Sequence, residues 1–434
     1  MNTITIDCGA SFVKGALFRD DKKIKVLQRK SPSCSCSPLK SVRQIVQIRE
    51  LVRDLIVELS EDRAEYYLCI SNEMHGFILA DGRANPVVDY ISWQNDLGDM
   101  NLRNSLDAAE FIKRSGMPLR GGLPSSNLSY LITGGFLKDY KELHFYTLGD
   151  YLIRYLSGIN PTVSRSNAAA TGLYDIVSDV WNDKLIDFIG ADYIIFPNLS
   201  DEEICFDMSG CTYHTFPAIG DQQAALLGAG LKETDTLSFN LGTGAQVSRV
   251  SDKIELSDLW QVRPFFNNKY LITIPHIPSG RALNVFAGFV ESILDTLGYE
   301  YTEESVWSGI VDSVKRQQTS NLKIDLGFFE NAINSSTKGA VTNIDEHDLT
   351  MDNLFYAVVS QMADNFCTVA DRIAVDRTGI RKLMFSGGIA QRFDSIRKCI
   401  SDHFPDCEVL TAQGDTLEGL CNYCNMLISK TVKG

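Results

Sequence analysis

Positive charge is what this sequence has too little of. Its 41 Lys and Arg against 55 Asp and Glu leave a formal net charge of −14. That excludes the basic footprint of a nucleic-acid surface. No run approaches the ~20 apolar residues of a membrane helix, so no membrane association is expected. Strand-like alternation starts at Thr3, so no signal peptide is expected. The 11 cysteines are an odd number and scattered. Reduced, inert thiols in a cytoplasmic protein are the expectation. Two close pairs stand out, Cys34/Cys36 in "SPSCSCSP" and Cys421/Cys424 in "LCNYCN". Neither has the two further ligands that zinc requires. Two phosphate signatures are also missing: GxxxxGK followed by Ser or Thr, and GxGxxG opening a helix with a distant acid.

What is present is length and a repeat. At 434 residues the chain exceeds one ordinary core and implies two domains. Its 44% hydrophobic and 22% charged content is that of a soluble globular protein. The stretch "TITIDCGASFVKGAL" (3–17) returns as "TLSFNLGTGAQVSRV" (236–250), an offset of 236 − 3 = 233. Asp7 then meets Asn240, and Gly9 meets Gly242. A duplicated architecture follows, with domains 1–220 and 221–434 each opening near one copy. Apolar spacing predicts helices over 41–60, most of 104–160, 281–298 and 350–376. Strands are predicted at 66–71 and 382–388. Residues 316–350 carry the least pattern and read as a surface excursion. Strands alternating with helices predict an α/β protein, a mixed sheet covered by helices in each domain.

Phosphate binding needs outward-facing backbone N–H groups with no side chain in the way. "DCGAS" (7–11), "NLGTGA" (240–245) and "FSGGIA" (385–390) each follow a strand and qualify. Facing each other across a cleft, they would clamp a triphosphate. Asp7 would repel phosphates unless a cation intervened. It reads either as a Mg²⁺ partner or as a turn aspartate bonding its own backbone. Asp221, in "PAIGDQQAALLG", reads as a helix N-cap, as a general base for a substrate hydroxyl, or as both. Gln222 beside it can orient a sugar hydroxyl. Met74-His75-Gly76 and Trp93 read either as structural residues or as a sugar pocket.

Taken together these segments resemble the FGGY carbohydrate kinases. The likeness is carried by "IDCGASFVKGALF" (6–18), "MHGFILADGRANPVVDYISWQND" (74–96), "LGDYLIRYLSG" (148–158) and "SNAAATGLYDIVSDVW" (166–181). It continues through "AIGDQQAALLGAGL" (218–231), "FNLGTGAQVS" (239–248) and "FSGGIAQR" (385–392), in order along nearly the whole chain. The resemblance implies two ribonuclease-H-like, actin-like ATPase domains closing over ATP and a sugar. It implies a sugar-binding and Mg²⁺/phosphate domain first and a nucleotide-binding domain second. Asp221 would be the catalytic base and Asp7 the Mg²⁺-associated aspartate. Gly9, Ser11, Lys14, Gly242, Thr243, Gly244, Gly387, Gly388 and Arg392 would serve ATP. Met74, His75, Trp93, Asn95, Asn127, Asp221 and Gln222 would serve the sugar. Within the family, 263–290 and 348–366 resemble sedoheptulokinases, while "MHG" also resembles xylulose kinases.

Several positions depart from the family pattern. Ala10 and Ser11 stand where two threonines are usual. Asn95 and Leu97 stand where an aspartate and an arginine follow the tryptophan. Arg392 stands where an asparagine lies by the adenine. The expected activity is transfer of the γ-phosphate of ATP to a ketose or polyol, sedoheptulose first. The alternatives are a xylulose/ribulose-type kinase and a sugar-sensing pseudokinase. A monomer or homodimer is expected.

Overall fold

The structure, a computed structural model, describes residues 1–431 except 33, 37, 38, 62, 98, 99, 243, 335 and 376. The chain forms two compact units. Unit 1 is Met1–Gly230 with Lys253–Tyr270 and Gln413–Gly434; unit 2 is Leu231–Asp252 with Leu271–Ala412. A single cut at 220/221 thus differs from the packing. The helix Asp221–Ala229 and the C-terminal helix Thr416–Thr431 both lie in unit 1. They touch backbone to backbone: a Cβ on Gly228 would stand 1.8 Å from the Asp415 carbonyl oxygen, and one on Gly419 1.8 Å from that of Ala224.

Unit 1 opens with β1 (Asn2–Cys8), β2 (Phe12–Arg19) and β3 (Lys22–Lys30), an antiparallel meander. In β1, Thr3, Ile4, Thr5 and Ile6 are all buried, as befits a central strand covered on both faces. On its other side β1 runs parallel to Glu65–Asn72, which runs parallel to Cys211–Thr215 and to the short strand Ile219–Gly220. Helix α1 (Ile45–Leu59) buries Ile45, Ile48, Val52, Leu55, Ile56 and Leu59, an i, i+3, i+4 stripe, in the core beside these strands. Each such side chain contributes roughly 1.5–3 kcal/mol on burial.

The register decides where the site forms. Asp7 pairs with Ser71, Ile219 with Ser71 and Gly220 with Asn72. Asp7, Glu73 and Asp221 therefore emerge at the C-terminal ends of three parallel strands, the edge where open α/β sheets bind ligands.

Unit 2 repeats this plan. Thr236–Asn240 is antiparallel to Ala245–Ser251 and parallel to Lys382–Ser386, which is parallel to Glu408–Thr411. The repeat slips after its first strand. Asp7 lies opposite Lys14, seven residues on, but Asn240 lies opposite Gln246, six on. Ser386 pairs with Asn240 as Ser71 pairs with Asp7. "SNEMHG" and "SGG" thus begin at the same place in the two sheets.

The helix predicted from 41 starts at Ile45, because Leu39–Arg43 is a strand paired with Pro86–Ile91. The helices of 104–160 are interrupted by the strand Leu143–Tyr146, whose Leu143 and Phe145 are buried. Residues 316–350 hold a hairpin, Lys323–Asp325 with Ala340–Thr342, anchored by buried Leu322, Ile324 and Leu326. Cys421 and Cys424 lie buried inside the C-terminal helix. Among the described residues no helix is long and apolar enough to cross a membrane.

Candidate active site

Asp221 is the first residue of its helix, and Gly220, extended at φ −65° and ψ 142°, holds the cap position. The N-cap reading is therefore corrected by one residue. The Asp221 carboxylate instead accepts the adjacent Gln222 N–H at 2.8 Å. Burial, then the charges of Asp7 and Glu73, push its carboxyl up to about 7; the Gln222 N–H and Arg263 oppose this. A carboxyl poised there suits proton abstraction near neutral pH. Asp7 is pushed up to about 6, chiefly by burial, against the Ser71 hydroxyl bond of 2.9 Å and the Lys14 charge.

The next shell is ordered by Arg263, on the strand Gln261–Pro264. Its Nη1 donates to Met74 Sδ at 3.0 Å and to Gln222 Oε1 at 2.9 Å. Its Nη2 bonds His75 Nε2 at 3.3 Å and also Gln261 Oε1. His75, held at φ +64°, bonds the Ala170 carbonyl through Nδ1 at 2.6 Å. A carbonyl only accepts, so Nδ1 carries the proton and Nε2 accepts from Arg263. Both ring nitrogens serve the fold, and the imidazole is neutral. Trp93 donates its indole N–H to Glu73 Oε2 at 3.2 Å, yet it is 43% exposed. Its ring is pinned at one corner and open, unlike a core tryptophan.

Asn95 and Asn127 are buried. Asn127 Nδ2 donates to the Asn95 carbonyl at 2.9 Å, and its Oδ1 accepts Leu97 N–H at 3.2 Å. This amide clamps the backbone that follows Trp93. Leu97 packs on the adjacent apolar core.

The family-like segments 148–158 and 166–181 supply support. Asn167 Nδ2 reaches Asn72 Oδ1 at 2.9 Å and the Ala218 carbonyl at 3.0 Å. Ser164 donates to the same carbonyl at 2.6 Å, and Gly220 N–H donates to Ser166 Oγ at 3.3 Å. The backbone leading into Asp221 is thereby fixed at two points, the Ala218 carbonyl and the Gly220 N–H.

In the first glycine turn, Gly9 N–H bonds the Phe12 carbonyl at 3.1 Å, Ser11 is exposed and Lys14 is half-buried opposite Asp7. In unit 2, Gly387 sits at φ +92°, and a Cβ there would fall 2.5 Å from the Leu241 carbonyl oxygen. Ile389 N–H bonds that same carbonyl at 3.0 Å, so the late glycine pair packs against the Gly242 turn. Gly244 and Gly388 have open space beside them. Thr243 lies outside the described residues. Arg392 stacks 5.0 Å from the Trp307 ring and 3.8 Å from Glu304.

Glu73 and Arg263 escaped the sequence reading. Glu73 immediately precedes the quoted "MHG", and a charged residue between a strand end and that turn was the available signal. Arg263 offered only an arginine between apolar Val262 and Pro264.

The N-terminal domain of the FGGY family of carbohydrate kinases matches residues 2–228. Human sedoheptulokinase is 21% identical over 452 aligned residues, covering 93% of each chain. A xylulose kinase from Rhodospirillum rubrum superposes with a TM-score of 0.84 at 16% identity, covering 99% of this chain and 90% of that one. A ligand-bound xylulose kinase from Lactobacillus acidophilus gives 0.80 at 17%, covering 99% and 89%. These structures share the two-domain, ribonuclease-H-like fold. The chain belongs to the FGGY family of carbohydrate kinases. It is a phosphotransferase with an alcohol acceptor.

Proposed function

We propose that this kinase transfers the γ-phosphate of ATP to a ketose or polyol, with sedoheptulose the first candidate. The observation that carries the reading is Asp221, a carboxyl poised near neutrality at a helix start beside Gln222, with Glu73, whose charge acts on it, holding the exposed Trp93. The likeness to human sedoheptulokinase along 93% of both chains supports the choice of sugar. The motif Met74-His75-Gly76 supports a xylulose/ribulose-type acceptor as the rival.

Trp93 gives the sugar a stacking face. Asp221 takes the proton from the attacking hydroxyl; an oxygen–phosphorus bond forms to the γ-phosphate as its bond to the β-phosphate oxygen breaks, and ADP leaves. Gln222 orients the hydroxyl. Gly9, Ser11 and Lys14 in unit 1, and Gly242, Thr243, Gly244, Gly387, Gly388 and Arg392 in unit 2, are assigned to ATP. Among the described residues no cluster of three ligating side chains forms, so Asp7 would hold Mg²⁺ as a single carboxylate oxygen donor, with water and phosphate oxygens completing the set. When bound, the metal supplies charge neutralisation for the phosphates. A coupled ADP-release assay over sedoheptulose, xylulose, ribulose and glycerol tests the proposal. Sedoheptulose is expected to give the highest kcat/KM; preference for another acceptor would replace it, and silence on all would remove the kinase reading for this acceptor class.

A further inference from the structure

Arg263 lies 4% exposed in a short strand, and its guanidinium joins three distant segments. It holds Met74 and His75, which close one strand, and Gln222, which follows Asp221. The acceptors bonded to it are neutral, and its Nε has none. A cation buried among neutral acceptors is destabilising unless an opposite charge faces it. Burial and the neighbouring Arg120 push Arg263 down to about 9, and Asp221 is the charge that opposes this. The charged groups facing Asp221 are thus Asp7, Glu73 and Arg263, with His75 held neutral.

We infer that Arg263 is a positioning residue of the transfer reaction: its fork fixes Gln222 and the Met74–His75 turn for the acceptor sugar. This rests on the reading of Asp221 as the base. Fork and charge separate by substitution. Arg263→Lys keeps the charge and loses the fork; Arg263→Met loses both and keeps the volume.

The test is steady-state kinetics on the full chain, with ATP and the acceptor found in the panel, from about pH 5 to about pH 9. Both variants are expected to raise the sugar KM by about tenfold, because the Gln222 and His75 acceptors lose their donor, while the ATP KM stays parental. Only Arg263→Met moves the acid limb of kcat/KM, by about one pH unit to the alkaline side, since a nearby cation lowers a carboxyl pKa. Parental sugar KM and parental acid limb in both variants would overturn the inference. So would equal losses in every parameter with an unmoved limb, the signature of a merely structural arginine. Should Arg263→Met fail to fold, Arg263→Lys decides alone: a raised sugar KM with an unmoved limb supports the inference, and a parental KM ends it. An active Asp221→Asn would instead remove the base reading itself.

Discussion

Asp221 shows what the base role proposed for it would ask of a fold. Its carboxyl rests near 7 in the folded chain against 3.8 for an ordinary aspartate. A group with a raised folded value binds protons better folded than unfolded. Its stabilising contribution is therefore complete below about pH 4 and is lost as pH rises to about 7. Above that, an ionised carboxylate held beside Asp7 and Glu73 works against folding. Asp221→Asn keeps the shape and removes the ionisation. The variant is expected to lose phosphotransfer by about 10²–10⁴-fold. It is also expected to melt a few degrees higher than the parent at about pH 8, and to show no such advantage at about pH 4. Thermal melts at both pH values and the coupled assay check this. Retained turnover would take the base role away from Asp221; a lower melting point at the alkaline pH would show that its charge is compensated in the fold.

The elements that matter most are those that bring strand ends together. Asn72 closes the strand Glu65–Asn72, and Asn167 ties it to Ala218, three residues before Asp221. Asn167→Ala removes one donor from each of these buried acceptors, which keep Gly149 N–H and Ser164 Oγ, at about 0.5–1.5 kcal/mol per lost bond. A drop of several degrees in Tm is expected, together with a fall in kcat because the backbone before Asp221 loosens. A full loss of kcat with parental Tm would mean that Asn167 touches the reacting groups, and no change in either would dismiss the network. Such elements explain what sequence could and could not disclose. The hairpin repeat, the glycine turns and both key aspartates are local patterns, legible from alternation and turn chemistry. Arg263 acts across 41 and 189 residues of chain on Gln222 and Met74, and no period links such positions. His75 and Asn127 were legible as motif positions, but their hydrogen bonds give them jobs in holding the pocket walls. Residues 41–43 read as helix because the pairing of Leu39–Arg43 with Pro86–Ile91 is a tertiary choice that overrides local spacing.

At the scale of the whole molecule, the chain leaves unit 1 and returns to it, and its last helix lies on the helix that begins at Asp221. That closure depends on two glycines, since the atoms facing them belong to backbone and cannot rotate away. Lys23, paired with Glu418, holds the start of the terminal helix against β3. Gly419→Ala adds one methyl group, 1.8 Å from the Ala224 carbonyl oxygen, so the helices must separate and their shared core loosens. The expected loss is about 1–3 kcal/mol, the usual range for overpacking. Gly309→Ala, inside the helix Glu303–Arg316 with open space around it, is the matched control. There the same methyl should add about 0.5–1 kcal/mol of helix stability. Calorimetry on the two variants should therefore show shifts of opposite sign, and kcat should fall only in Gly419→Ala because only that helix contact supports Asp221. Equal tolerance of both substitutions would mean that the terminal helix is not what holds the helix Asp221–Ala229 in place.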